Sequence, residues 1–188
     1  MEASGFVLAG GKSSRMGRDK AALPFGGTTL AGHVASLVRE AAGTAAILGE
    51  PERYLALGYP VYPDLVPGCG PLGGIYTGLS RASTDWNLMV ACDMPSLSSA
   101  ILRNLLERAG VSSAECIAAA GSAGDPEPLC AVYHRSCLLA VERAIRDKRF
   151  RLRDLLAELQ TETVSVAGFA LANVNTPAEW RQFDQRFE

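Results

Sequence analysis

Apolar positions along the chain come in two alternating rhythms. Short solid runs bounded by glycine, proline or polar residues read as buried strands. The first is Gly5-Phe6-Val7-Leu8-Ala9, followed by runs over 45–48 and 59–62, and the longest is Trp86-Asn87-Leu88-Met89-Val90-Ala91-Cys92. Between them, apolar residues recur every three or four positions. Leu30, Val34, Leu37, Val38 and Ala41 mark one face of a helix, with Thr28 or Thr29 as its N-cap and Gly43 just past its end. Further helices are predicted over 73–82 and, capped by Ser98 or Ser99, up to about Ala109. The second half gives strands over 115–120, 129–134 and 163–166, helices over 136–146 and 153–159, another strand at 172–174, and a last helix opened by Pro177. Residues 10–27 and 121–128, rich in glycine and polar residues, read as loops.

Strands alternating with helices imply βαβ units, hence a three-layer α/β/α architecture with a mainly parallel sheet and helices on both faces. The length, 188 residues, suits a single domain. In such sheets ligands bind outside the carboxyl ends of the strands. Two of those ends carry chemistry: the loop after the first strand, and Asp93 after the longest one.

Composition narrows the partners. The net charge of −2 gives no overall basic footprint, so binding of nucleic acid is not expected and any phosphate site is local. No stretch has the roughly 18 apolar residues of a membrane helix, and the opening Met-Glu-Ala-Ser-Gly lacks the basic and apolar segments of a signal peptide. The five cysteines are odd in number and form no C-x-x-C pair; several lie in apolar runs. Reduced, buried thiols and a cytoplasmic location are therefore expected.

The loop after the first strand reads Leu8-Ala9-Gly10-Gly11-Lys12-Ser13-Ser14-Arg15-Met16-Gly17-Arg18-Asp19-Lys20. Glycines let the backbone approach a ligand, and successive N–H groups in such a turn bind anions. Its arginines and lysines neutralise phosphate oxygens. The loop is a polyphosphate cradle by composition and place, with a plain solvated basic loop as the alternative. It is no Walker A motif, since the spacing from Gly11 to Gly17 and the Arg18 after it do not match G-x-x-x-x-G-K-[ST]. A literal G-x-G-x-x-G does occur at Gly68-Cys69-Gly70-Pro71-Leu72-Gly73, but it follows a turn-rich stretch, not a first strand. It reads as a glycine-rich loop at the front of the site, not as a dinucleotide fingerprint. Cys130, His134 and Cys137 have a spacing suggestive of zinc but lack a fourth ligand nearby, so buried thiols and a hydrogen-bonded histidine are expected instead.

Asp93 ends a buried strand, where a Mg²⁺ ion carried by phosphates takes one or two carboxylates. Asp64, after the run 59–62, is a second acidic candidate. Asp85 precedes its strand and so falls on the opposite edge of the sheet. With two histidines in the chain, a Ser-His-Asp set does not emerge. Lysine, arginine and Mg²⁺ suffice for nucleotidyl transfer, which rests on positioning and charge neutralisation.

At this point the ordered motifs resemble a known family. Leu8-Ala9-Gly10-Gly11-x3-Arg15-Met16-Gly17-x-Asp19-Lys20, then Pro63-Asp64 with Gly70-Pro71-Leu72-Gly73-Gly74-Ile75, then Ala91-Cys92-Asp93-Met94-Pro95, then Glu127-Pro128-Leu129-Cys130-Ala131-Val132-Tyr133, then Phe150 to Leu156 and Asn173-Val174-Asn175-Thr176-Pro177 resemble, in that order, the molybdenum cofactor guanylyltransferases. The resemblance implies a Rossmann-like nucleotidyltransferase fold, with about 1–110 binding nucleotide and about 111–188 binding the acceptor. It implies GTP and molybdopterin, or Mo-molybdopterin, as substrates, with Mg²⁺. Molybdoenzymes or carrier proteins are implied as further partners. By the same resemblance Leu8, Ala9, Gly10 and Gly11 contact the nucleotide, Lys20 and Arg15 handle phosphate, and Asp64 belongs to the nucleotide site. Asp93 holds Mg²⁺, and Asn173 and Asn175 lie on the pterin side. The Leu-Ala-Gly-Gly form leans toward guanine over cytosine. The chain departs from the family after the run 45–48, where Gly49-Glu50 stands in place of a usual asparagine near the base. The alternatives are a related transferase using CTP or another NTP, with molybdopterin or a sugar phosphate as acceptor, and a non-catalytic nucleotide-binding protein.

Overall fold

The first apolar run forms a strand, β1 (Ala3–Leu8), and the sheet is built outward from it. The computed structural model describes residues 1–10 and 19–174. After β1 come a short hairpin, β2 (Pro24–Phe25) and β3 (Thr28–Thr29), and helix α1 (Leu30–Ala42). Then follow β4 (Ala46–Leu48), a one-turn helix α2 (Pro51–Tyr54), β5 (Val61–Tyr62), α3 (Pro71–Arg81) and β6 (Trp86–Ala91). The remainder is α4 (Ser99–Ala109), β7 (Cys116–Ala120), β8 (Pro126–His134), α5 (Leu138–Arg146), α6 (Leu152–Glu158) and β9 (Thr161–Ser165).

Seven of these strands make one sheet in the order β5-β4-β1-β6-β8-β7-β9. Every pairing is parallel except the two made by β8, which therefore runs against its neighbours. The sheet continues without a break from the first 110 residues into the rest. Its two faces follow from the strand period of two. Val7, Ile47, Leu88, Val90 and Val132 point to the face covered by α1 and α4. Phe6, Leu8, Leu48, Met89 and Tyr133 point to the face covered by α3, α5 and α6. The layers are thus helix, sheet, helix, as the pattern predicts.

The local signals operate as expected at several ends. The Thr29 side chain accepts from the Gly32 N–H, Gly43 closes α1 in the left-handed conformation at φ 79°, and the Ser98 side chain caps α4. Helix α3 starts at Pro71, two residues before the predicted point, because proline at the first turn is preorganised for helix and gives up no needed donor.

Other expectations are corrected. The stretch 121–128 is only partly loop, since β8 already begins at Pro126, where it pairs with Ala120. Residues 172–174 are not a strand: a 3-10 turn, Gly168–Leu171, precedes them, and the Val174 N–H goes to the Asp93 carbonyl at 3.0 Å instead of into a ladder. The loop 10–27 contains a 3-10 turn, Lys20–Ala22, besides the hairpin. The helix expected from Pro177 lies outside the described residues. The zinc-like spacing dissolves into packing. Cys130 belongs to the core beneath α1 and α4, while Cys137 belongs to the core on the other side of the sheet. His134 instead bonds Ser136 and stands edge-on to Trp86.

Candidate nucleotide site

Strand β1 lies between β4 and β6; the connection from β1 to β4 runs through α1 on one face, and the connection into β6 runs through α3 on the other. That is the switch point where open α/β sheets bind ligands. Register makes the juxtaposition concrete. Leu8 pairs with Ala91, and the Cys92 N–H reaches the Leu8 carbonyl at 3.1 Å. On the other side the Ala9 N–H reaches the Leu48 carbonyl at 2.9 Å. The backbone at Ala9–Gly10 and the carboxylate of Asp93 therefore leave the sheet side by side.

A cavity of about 240 Å³ opens at this edge. Its walls come from the end of β1 (Leu8 to Gly10), from the turn holding Asp19 and Lys20, from Pro71 at the start of α3, from Asp93 and from Asn173. Lys20 Nζ stands 3.9 Å from Asp93 Oδ2 across it. Burial pushes the Asp93 carboxyl above its ordinary value, and the Lys20 charge only partly offsets this. A buried carboxylate in that condition favours a further cation. Among the described residues there is no group of three or more His, Cys, Asp or Glu side chains to chelate a metal by themselves. One carboxylate facing a phosphate-sized space fits a hard cation that arrives with phosphates and keeps water ligands.

The predicted residues divide as follows. The structure brings Leu8, Ala9, Gly10, Lys20, Asp93 and Asn173 to one cavity. Asp64 is not among the residues lining it. It follows β5 and sits against the first turn of α3, where burial raises its carboxyl above the usual range. Gly11, Arg15 and Asn175 lie outside the described residues.

Three residues that sequence reasoning did not assign join the site. Asp19 lines the cavity and caps the 3-10 turn that begins at Lys20, its Oδ1 accepting the Ala21 N–H at 3.1 Å. Tyr54, buried at the end of α2, places its hydroxyl 2.9 Å from the Ala9 carbonyl and 2.7 Å from Asp19 Oδ2. Glu127 is held by the Leu129 N–H; burial raises its carboxyl, and the charge of Asp93 raises it further. Asp19 and Glu127 sat inside quoted motifs without a role. Tyr54 was hidden because a one-turn helix is too short to show a period.

Fold and cavity together define an α/β protein whose candidate site lies at the carboxyl ends of β1 and β6. Residues 5–164 match the family model described as MobA-like NTP transferase domain, and the chain belongs to that family. A probable molybdenum cofactor guanylyltransferase of Pelotomaculum thermopropionicum is 34% identical over 95% of this chain and 90% of its own. The molybdenum cofactor guanylyltransferase of Yersinia pestis strain Pestoides F is 33% identical over 97% of this chain and 95% of its own. Among solved structures, the molybdopterin-guanine dinucleotide biosynthesis protein A of Archaeoglobus fulgidus superposes with a TM-score of 0.83 at 21% identity, covering 98% of both chains. A CMP:2-keto-3-deoxy-manno-octonic acid synthetase complexed with CTP has the same fold at a TM-score of 0.76 and 15% identity.

Proposed function

We propose that this protein transfers the GMP unit of GTP to molybdopterin, or Mo-molybdopterin, giving the guanine dinucleotide cofactor and pyrophosphate. The observation that carries the reading is the convergence of the Ala9–Gly10 backbone, Lys20 and Asp93 on one cavity in a chain about one-third identical, over nearly its whole length, to guanylyltransferases. A phosphate oxygen of the acceptor attacks the α-phosphorus of GTP. The bond from that phosphorus to the bridging oxygen breaks, and pyrophosphate leaves with the electron pair. Such a step asks the protein mainly to align the reacting groups and to neutralise developing charge.

The backbone at Ala9 and Gly10 approaches the nucleotide. Lys20 takes phosphate oxygens, with Arg15 and Gly11 completing the motif. Asp93 would hold Mg²⁺, which supplies charge neutralisation on the triphosphate. Pro71 brings the N-terminal end of α3 to the same cavity, where the helix dipole favours an anion. Asp64 serves the nucleotide side, and Asn173 and Asn175 the acceptor. The cavity volume, below the roughly 300–1,000 Å³ of sites that engulf a whole ligand, suits the polyphosphate part. The five buried free thiols agree with a cytoplasmic setting.

The deciding experiment incubates the protein with Mg²⁺, molybdopterin and each of the four NTPs in turn. Dinucleotide formation with GTP in clear preference is expected. Equal use of CTP, or no product with any NTP, would overturn the assignment. Under saturating Mg²⁺, Asp93→Ala should lower kcat by roughly a hundredfold or more, in the range of losing one group that stabilises charge in the transition state. Lys20→Ala should depress kcat/KM for GTP.

A further inference from the structure

The two described ends of the glycine-rich loop meet at a single phenol. Ala9 stands at one end and Asp19 at the other. The hydroxyl of Tyr54 lies 2.9 Å from the Ala9 carbonyl and 2.7 Å from Asp19 Oδ2. A phenol carries one proton, so this proton is shared between the carbonyl and the carboxylate. The other carboxylate oxygen of Asp19 accepts the Ala21 N–H and so caps the turn from which Lys20 projects toward Asp93. One chain of bonds thus runs from the end of β1 through Tyr54 and Asp19 to the turn of Lys20.

The sequence makes room for this bond. Pro51 opens α2, which delivers Tyr54 three residues later, and the ring is 2% exposed. A Cβ at position 49 would stand 2.7 Å from the Tyr54 ring, so Gly49 leaves the space the ring occupies. Arg53 lies 3.6 Å from the same Asp19 oxygen that receives the phenol.

We propose that Tyr54 is a positioning residue of the nucleotide site: its hydroxyl, seated against Gly49, ties Ala9 to Asp19 and so fixes Lys20 relative to the end of β1. The purpose rests on the nucleotidyltransferase reading, whereas the tie itself does not.

Tyr54→Phe keeps the ring in its slot and removes only the hydroxyl. Two measurements on the full chain separate the tie from its purpose. The first is amide hydrogen exchange. The Ala21 N–H should exchange at least severalfold faster in Tyr54→Phe, while amides within α1 and α4 stay as in the parent. Unchanged Ala21 exchange would overturn the tie. The second is kinetic. In Tyr54→Phe, kcat/KM for GTP should fall about ten- to a hundredfold, a loss typical of misplacing a group near the reacting atoms. Added to Asp19→Ala, the same change should cost little more, because both break one chain of bonds. Faster exchange with parental kcat/KM, or losses that simply multiply, would overturn the positioning role. If the parent protein makes no dinucleotide, the proposed function is what fails. The Kd for Mg²⁺-GTP, measured by titration, then decides the role of Tyr54: weakening by tenfold or more upholds it, and an unchanged value overturns it.

Discussion

At the scale of single residues, the site depends on what small side chains leave open and what buried ones are held by. Gly49 shows the first. Its backbone N–H bonds the Tyr62 carbonyl at 2.9 Å, so position 49 is fixed by the strand ladder and cannot drift away from Tyr54. Any side chain there must displace a ring that is itself buried and bonded at its far end. Gly49→Ala is therefore expected to destabilise the fold by about 1–3 kcal/mol, the usual cost of overpacking a tight interior, and to weaken nucleotide binding as well. Urea unfolding of Gly49→Ala checks this, and an unshifted midpoint would mean that the ring gives way freely. Asp93 shows the second. Burial raises its carboxyl, and only the ionised form can hold a cation. Turnover at fixed, subsaturating Mg²⁺ should therefore fall as the pH is lowered, beginning at a pH above that of an ordinary aspartate. Excess Mg²⁺ should move the fall to lower pH. A pH profile indifferent to Mg²⁺ concentration would count against this role for Asp93.

At the scale of elements, caps and periods were legible where the element was long enough to repeat. The apolar spacing from Leu30 to Ala41 gave α1 nearly to the residue, and Thr29 and Gly43 close it as their types suggest. Since the Thr29 cap satisfies one otherwise orphaned N–H, Thr29→Ala should cost about 1 kcal/mol. The expected readout is a lower thermal midpoint, and an unshifted midpoint would mean that the cap contributes nothing. The short strands β4 and β5 fall within the predicted runs 45–48 and 59–62, but helix α2, a single turn, was not legible. Strand β8 could be seen, but not its reversed direction or its early start. Both come from partners on either side, β6 and β7, and not from the residues of β8 itself. The candidate site followed the same division. Lys20 and Asp93 were legible because motif and strand end coincide, whereas Tyr54 required the register of Gly49 against Ala9 and could not be read from spacing.

At the scale of the whole molecule, the shifted carboxyls sort by place. Glu40 and Glu162 are held below the usual range by hydrogen bonds from Arg103 and Arg108, and both stand in exposed ion pairs. Asp64, Asp93 and Glu127 are instead pushed up by burial. Asp64 and Asp93 follow the carboxyl ends of β5 and β6, and Glu127 sits near the start of the reversed strand β8, which brings it to the same edge. The fold thus gathers its ill-solvated acids on the side where a cation and a phosphorylated ligand would bind, a pattern typical of functional sites. This has a consequence for stability without ligand. A carboxyl whose value is raised on folding binds protons more readily folded than unfolded, so stability falls as the pH rises through the interval between the two values. For Asp93 that interval starts at the ordinary value of 3.8 and extends upward. The ligand-free protein should therefore lose part of its stability across that interval as the site acids ionise. Asp93→Asn, which carries no charge to desolvate, should show a shallower loss over the same range and a higher midpoint above it. Thermal unfolding of both proteins at a series of pH values tests this. Parallel curves would show that Asp93 is not strained by its burial, and the case for a cation beside it would weaken accordingly.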